Sequence, residues 1–351
     1  MLRKLWNDEN GFVISSELVL IATVLVIGLL VGMVSLRDQV IQELGDVADP
    51  VAEAGDSLVS VESAGICGSD MHAFLGHDER RPAPLILGHE VAGLVDGQRV
   101  TVNPLVSCGS CRYCTEGRTN LCQTRQIISM PPREGGFAEQ LTIRPDNLVE
   151  VPDHITPDQA SLAEPIACGW HAVRLALRIA PETDRALVFG GGAIGVGAAL
   201  SLRAQGVASV LVAEPNAERR AYLERVCALP AIDPEALGGE GVFDIVIDGV
   251  GFAATRAQAS ASAAPGGVIM HIGLGSAEGG LDVRRMTLQE ITFVGTYTYT
   301  AQDFRDTAAA MFDGRLGGLD WIEVRPLSEG ARAFADIRAG QVAAPKIVLK
   351  P

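Results

Sequence analysis

The chain has 351 residues, with 28 Lys and Arg against 43 Asp and Glu and a formal net charge of −15. An acidic balance of that size offers no basic face to offset phosphate charge, which excludes a nucleic-acid binder. Apolar residues at 48% and charged residues at 20% exclude a disordered chain, and the length suits two domains with a sizeable core.

Mean hydropathy is +0.23, high for a soluble protein, and the excess is unevenly spread. Residues 18–36, LVLIATVLVIGLLVGMVSL, carry no charge. A membrane-spanning helix needs ~20 apolar residues, so this run is just long enough for an anchor; a buried core helix is the alternative. No small-residue cleavage site follows, so a cleaved secretory signal is not expected. Residues 11–17, GFVISSE, with Glu17 ahead of the apolar run, resemble the N-terminus of a type IV pilin-like prepilin. Residues 1–48 are therefore read as an apolar helical segment that anchors the chain at a membrane through 18–36.

From about Asp49 the character changes. Val59 and Val61 alternate with Ser60 and Glu62, which predicts a strand. All seven cysteines follow the apolar run. Four of them, Cys108, Cys111, Cys114 and Cys122, are spaced C-x2-C-x2-C-x7-C on a Gly-containing loop. Four soft sulfurs this close suit a closed tetrahedral zinc site, whereas disulfides would need an oxidising compartment and would not explain the tight spacing. Cys67 in GICGSD, His89 and Glu90 in LGHEVAG, and Glu164 in LAEPIA each have an ordinary reading alone: a buried Cys, a core His, a helix-start Glu beside Pro165.

ALVFGGGAIGVGAALSLRAQG (186–206) reads as strand, tight turn and helix, with Gly190-x-Gly192-x-x-Gly195 as a dinucleotide fingerprint. The helix N-terminus then offers free N–H groups to a pyrophosphate. A second strand, VLVAE, ends in Glu214, whose carboxylate would accept ribose hydroxyls and repel a 2′-phosphate, so NAD is expected over NADP. Arg219 and Arg220 nearby keep NADP open. Further strands are expected within 243–251, 267–275 and 291–297, an amphipathic helix over 301–314, and a closing strand in APKIVLKP.

Taken in order, GICGSDMH (65–72), LGHEVAG (87–93), the four-Cys segment, GGFAE (135–139), AEPIA (163–167) and the fingerprint resemble a zinc-dependent medium-chain alcohol or polyol dehydrogenase of the sorbitol and threonine dehydrogenase branch. The resemblance covers the chain from about residue 49 onward. It implies an α/β protein with a Rossmann coenzyme domain (157–297) and a GroES-like β-rich catalytic domain (49–156 and 298–351). It implies a catalytic zinc on Cys67, His89 and Glu164, with Glu90 as a close or exchanging ligand, and places the loops after Asp248 and around Gly273 beside the nicotinamide. Asp70, three residues after Cys67, would orient His89 through its second ring nitrogen. Ser69 would take the alcohol proton and His72 would carry it to solvent. Cys168 and Cys227 are expected as buried helix residues.

The expected activity is hydride transfer from a secondary alcohol of a polyol, sugar acid or similar metabolite to NAD, in a cytoplasmic homo-oligomer, with the membrane anchor holding the catalytic part on the cytoplasmic side. One departure stands out: the β-hairpin that opens the catalytic domain in this family is missing, and the apolar segment stands in its place. Its loss would leave a sheet edge and an apolar core face uncovered. The alternative reading is a membrane-associated pilin-like and dehydrogenase chimera whose truncated catalytic domain is inactive.

Overall fold

A computed structural model describes residues 55–351. The apolar run at 18–36 and the prepilin-like segment lie outside the described residues. Among the described residues, no helix is long and apolar enough to cross a membrane.

The strands, in chain order, are β1 (Ser57–Gly65), β2 (Glu90–Val95), β3 (Gln98–Val102), β4 (Leu105–Val106), β5 (Gln126–Ile127), β6 (Gln140–Ile143), β7 (Leu148–Glu150), β8 (Arg185–Phe189), β9 (Ser209–Ala213), β10 (Ala231–Ile232), β11 (Phe243–Asp248), β12 (Ala263–His271), β13 (Thr292–Gly295), β14 (Ile322–Pro326) and β15 (Lys346–Lys350). The α-helices are α1 (Gly68–Phe74), α2 (Arg112–Thr115), α3 (Pro157–Ala160), α4 (Ala163–Ile179), α5 (Ala193–Ala204), α6 (Ala217–Val226), α7 (Ala253–Ser262), α8 (Val283–Leu288), α9 (Ala301–Phe312) and α10 (Gly330–Arg338).

Seven strands form one sheet in the order β14-β15-β1-β2-β3-β7, with β6 also paired to β1. The alternation read at 59–62 is met: Val59 and Val61 face the core and Ser60 faces out. Val59, Val61, Val91, Val100, Val102, Leu141 and Ile143 form a buried cluster. The expected bare edge is not found on β1 among the described residues. Its first half pairs with β6, its last residues pair with β15, and β2 lies along its other side. Paired on both sides, β1 has few free backbone groups to expose.

The second sheet has six parallel strands in the order β10-β9-β8-β11-β12-β13. The order reverses between β8 and β11, and ligands bind at the carboxyl ends of strands around such a reversal. Helices α4 and α5 cover the sheet with Ile166, Val173, Ala198 and Leu202 against Val188, Ile245 and Val268. The two helices touch where both are glycine: a Cβ on Gly169 would lie 2.4 Å from Ala198 N, and one on Gly197 would lie 2.9 Å from Ile166 Cα. That contact sets Glu164, at the start of α4, in register with the fingerprint turn at the start of α5.

Residues 296–300 carry the chain from β13 to α9. Thr300 caps α9 reciprocally with Asp303, which satisfies N–H groups of its first turn.

Candidate active site

Cys67, His89 and Glu90 come from three local structures. Cys67 caps the N-terminus of α1, His89 ends the loop before β2, and Glu90 opens β2. One donor atom from each lies within 4.8 Å of the others. One sulfur, one ring nitrogen and one carboxylate oxygen form a three-ligand set with an open position, the pattern of a catalytic zinc site. Both Glu90 oxygens are buried and lie 2.6 Å from Lys346 Nζ, so a metal at this position would share the carboxylate with that ammonium.

The supporting shell is built on Asp70, fully buried on α1. Its Oδ2 accepts the Cys67 backbone N–H at 3.0 Å. Its Oδ1 lies 3.2 Å from His89 Nδ1 and accepts from Arg81 Nη1 at 3.1 Å and Ser129 Oγ at 3.5 Å. With Nδ1 held by a carboxylate, His89 Nε2 is the nitrogen left to bind a metal. Burial works against a charged imidazole, but Asp70 and Cys67 beside it raise the His89 pKa well above its ordinary value. The orienting role expected for Asp70 thus has its geometry, and sequence reading missed Arg81 and Ser129.

Glu164 stands outside the triad. Its Oε1 accepts the Tyr299 hydroxyl at 2.7 Å. Burial raises its pKa to about 6, with His89 pulling it down and Glu90 pushing it up. Lys346 was also missed. Its Nζ lies 2.6 Å from each Glu90 oxygen and donates to Ile66 O at 2.7 Å. Burial opposes its charge, but Glu90 and Cys67 hold its pKa above the ordinary lysine value. The one signal for it in the sequence is a lysine inside a buried closing strand. Cys168, one turn after Glu164, is buried, and burial pushes its thiol pKa well up, as suits a packed helix residue. Cys227 is likewise buried, with its thiol pushed up to about 12.

The four-Cys segment folds around α2. All seven cysteines are free of disulfides. Cys108, Cys111, Cys114 and Cys122 gather with sulfur atoms within 4.8 Å of one another. Cys111 Sγ lies 3.5 Å from Cys114 Sγ, and Cys108 Sγ lies 4.0 Å from it. Tetrahedral bonds of ~2.3 Å would set sulfurs ~3.8 Å apart, so the cluster has the size of a zinc cage. Backbone N–H groups of Ser110 and Cys111 hold the Cys108 pKa down at about 5, while burial and the Cys111 thiol push Cys114 up to about 11.

A cleft of about 670 Å³ joins Cys67 and Glu90 of the triad to the fingerprint. Cys67, Gly68, Met71, Glu90 and Lys346 line one part; Gly190, Gly192, Gly195, Glu214, Arg219 and Val250 line another. Gly190 has φ +99°, a conformation that side chains rarely adopt. A Cβ on Gly195 would lie 1.8 Å from Gly190 O, so the helix can approach the strand only without one. Gly192 caps α5 and faces open space, where a pyrophosphate would meet the helix N-terminus. Glu214 accepts Gly191 N–H at 2.8 Å and Asn216 N–H at 2.9 Å, so it also braces the phosphate turn. Arg220 is occupied with Asp233 and the carbonyls of Glu214 and Pro215, while Arg219 reaches the cleft wall.

Four expected site residues are placed differently. Asp248 does not face the cleft. Its oxygens accept from the N–H groups of Val250 and Gly251 and from Thr255 Oγ1, and lie 3.2 Å from His271 Nδ1, so it shapes the loop that does. Gly273 packs against Val250 and Gly251 and lines a separate hollow with His271 and Leu274. Ser69 is half-buried, His72 is exposed, and neither lines this cleft. Gly68 and Met71 take that face of α1, and at ~100° per residue Ser69 and His72 turn to the next one.

Residues 53–153 match the alcohol dehydrogenase GroES-like domain family, and residues 193–313 match the zinc-binding dehydrogenase family. The L-galactonate-5-dehydrogenase of Escherichia coli K12 is 33% identical over 287 residues, covering 76% of this chain and 83% of that protein. A solved zinc-binding dehydrogenase from Sinorhizobium meliloti, bound to NADP, is 28% identical, with a TM-score of 0.78 over 87% of this chain and 94% of that one. An alcohol dehydrogenase from Escherichia coli CFT073, complexed with NADH, is 25% identical, with a TM-score of 0.75 over 86% and 94%. The chain belongs to the zinc-binding dehydrogenases. It is an oxidoreductase of secondary alcohols that uses zinc and a nicotinamide cofactor.

Proposed function

We propose that the chain oxidises a secondary alcohol of a polyol or sugar acid, with NAD as hydride acceptor. The observation that carries this reading is the single cleft lined by both the Cys67 and Glu90 end of the triad and the Gly190 to Gly195 turn. Hydride transfer needs the alcohol carbon and the nicotinamide ring held together, and one continuous cleft does that.

Cys67, His89 and Glu90 would hold the catalytic zinc, with Glu164 able to exchange onto it; the four-Cys cluster would hold a second, structural zinc. When bound, the catalytic zinc supplies Lewis-acid polarisation of the substrate oxygen. Asp70 keeps His89 turned with one nitrogen toward that position. Lys346 holds the Glu90 carboxylate in place. In the reaction the alcohol C–H bond breaks with its electron pair going to the nicotinamide, and the hydroxyl proton leaves; Ser69 and His72 lie on the face of α1 next to the cleft-lining Gly68 and Met71, and carrying that proton would require them to be reached from the cleft around that helix. Gly190, Gly192 and Gly195 admit the cofactor pyrophosphate, and Glu214 favours the unphosphorylated ribose.

The test is a screen of polyols, aldonates and amino alcohols for NADH formation by the zinc-loaded chain. NAD reduction with a polyol or aldonate supports the reading; turnover only with another alcohol class would overturn the substrate class.

A further inference from the structure

We infer that Tyr299 is a positioning residue for Glu164, and that the four-Cys segment sets Tyr299 in register by gripping the chain on either side of it. The inference rests on the site proposed above. It adds a mechanical link between the two metal clusters that neither needs for its own ligands.

Tyr299 is 1% exposed, and its ring packs beside Phe304, the centroids 5.7 Å apart. Its hydroxyl donates to Glu164 Oε1. A carboxylate with one oxygen engaged this way is fixed in rotation and presents the other oxygen to the site. Tyr299 sits on the short connection 296–300, which is tied to β12 at its start by Thr296 N–H donating to His271 O at 2.9 Å and to α9 at its end by the Thr300 cap. Just before it, Thr298 adopts φ +45°, a left-handed conformation costly for a β-branched residue. Such a conformation persists only where the surroundings over-determine it.

Besides β12, α4 and α9, the surroundings here include the four-Cys segment. Asn120 Nδ2 donates to Tyr297 O at 2.8 Å. The Arg125 guanidinium lies 4.8 Å from the centre of the Tyr297 ring, and the same arginine donates to Cys122 O at 2.9 Å. On the far side of Tyr299, Ala301 N–H donates to Thr119 Oγ1 at 2.8 Å. Thr119 and Asn120 form the single 3-10 turn that leads into Cys122, the fourth sulfur of the cluster. A metal that fixes Cys122 therefore fixes the turn, and the turn fixes residues 297 and 301 around Tyr299.

The test uses the zinc-loaded full chain and three variants: Tyr299→Phe, which keeps the ring, Asn120→Ala, which loosens the grip, and the two combined. Two quantities are read: the rate at which dipicolinate strips the more labile zinc, and kcat and KM for the best polyol of the screen. Tyr299→Phe should speed stripping about tenfold or more and lower kcat with KM for NAD unchanged. Asn120→Ala should act in the same direction, more weakly, and the combined variant should be no worse than Tyr299→Phe alone. Parental stripping in Tyr299→Phe would overturn the positioning role, and multiplying effects in the combined variant would overturn the link through the lobe. Should Tyr299→Phe fail to fold, Asn120→Ala still decides: parental stripping there overturns the link. If no alcohol turns over, the substrate reading fails while the stripping rates still report on Tyr299.

Discussion

Glu90 and Lys346 form a buried ion pair 256 positions apart in the chain, the ammonium nitrogen 2.6 Å from each carboxylate oxygen. Their side chains are 1% and 3% exposed. The same ammonium donates to the carbonyl of Ile66, the residue before Cys67, so the closing strand braces two of the three triad residues. Replacing Lys346 with Met would leave the Glu90 charge buried and uncompensated, a loss of about 3–5 kcal/mol in the zinc-stripped protein. Urea unfolding of the stripped parent and variant measures this, and a loss below about 1 kcal/mol would contradict the role given to the pair.

Gly195→Ala places a Cβ 1.8 Å from Gly190 O. The phosphate turn must then shift away from the cofactor. A displacement costing about 3 kcal/mol weakens NADH binding roughly 100-fold. Fluorescence titration with NADH reads the change, and zinc content should stay at the parental value because both clusters are elsewhere.

Cys111→Ser removes one sulfur from the four-Cys cage while leaving Cys67, His89 and Glu90 untouched. Metal analysis should find one zinc per chain in place of two, with a lower melting temperature. Two tightly held zinc ions in this variant would show that the cluster is not a metal cage.

Asp303 joins α4 to α9. Its Oδ2 lies 2.7 Å from His171 Nδ1 and accepts from Arg174 Nη2 at 2.9 Å and Thr300 Oγ1 at 2.6 Å. Burial would raise its pKa, but His171, Arg174 and Thr300 outweigh it and hold the carboxyl well below the usual range. A depressed folded-state pKa gives stability that is present above the unfolded value of about 4 and lost as pH falls below it. Asp303→Asn should therefore lower the melting temperature at neutral pH and flatten its fall between about pH 4 and pH 2. An unchanged acid slope would remove Asp303 from the acid response.

The coenzyme half was largely legible because its signals are local. A strand, a glycine turn and a helix lie within one stretch of chain; β11, β13 and α9 fall inside the segments expected for them, and β12 overlaps its segment but starts four residues earlier, at Ala263. The four-Cys cluster was legible for the same reason. Glu164 was visible only through a motif, and its partner Tyr299 lies 135 positions away in a connection with no periodic pattern. Lys346 is one of two lysines that bracket the apolar Ile347, Val348 and Leu349 of β15, and nothing local pairs it with Glu90. A carboxylate at a strand end suits both cofactor binding and loop bracing, and the four partners of Asp248 give it the bracing of the loop that reaches the cleft. Ser69 and His72 share a helix with Cys67, but adjacency in sequence does not put side chains on one helix face.

The triad and the fingerprint serve one reaction in one cleft. The most direct test of this is NADH formation by the zinc-loaded full chain on a panel of polyols and aldonates, compared with Cys67→Ala. The parent should turn over, and the variant should lose one zinc and all turnover while binding NADH as the parent does. Turnover that persists in Cys67→Ala would contradict it.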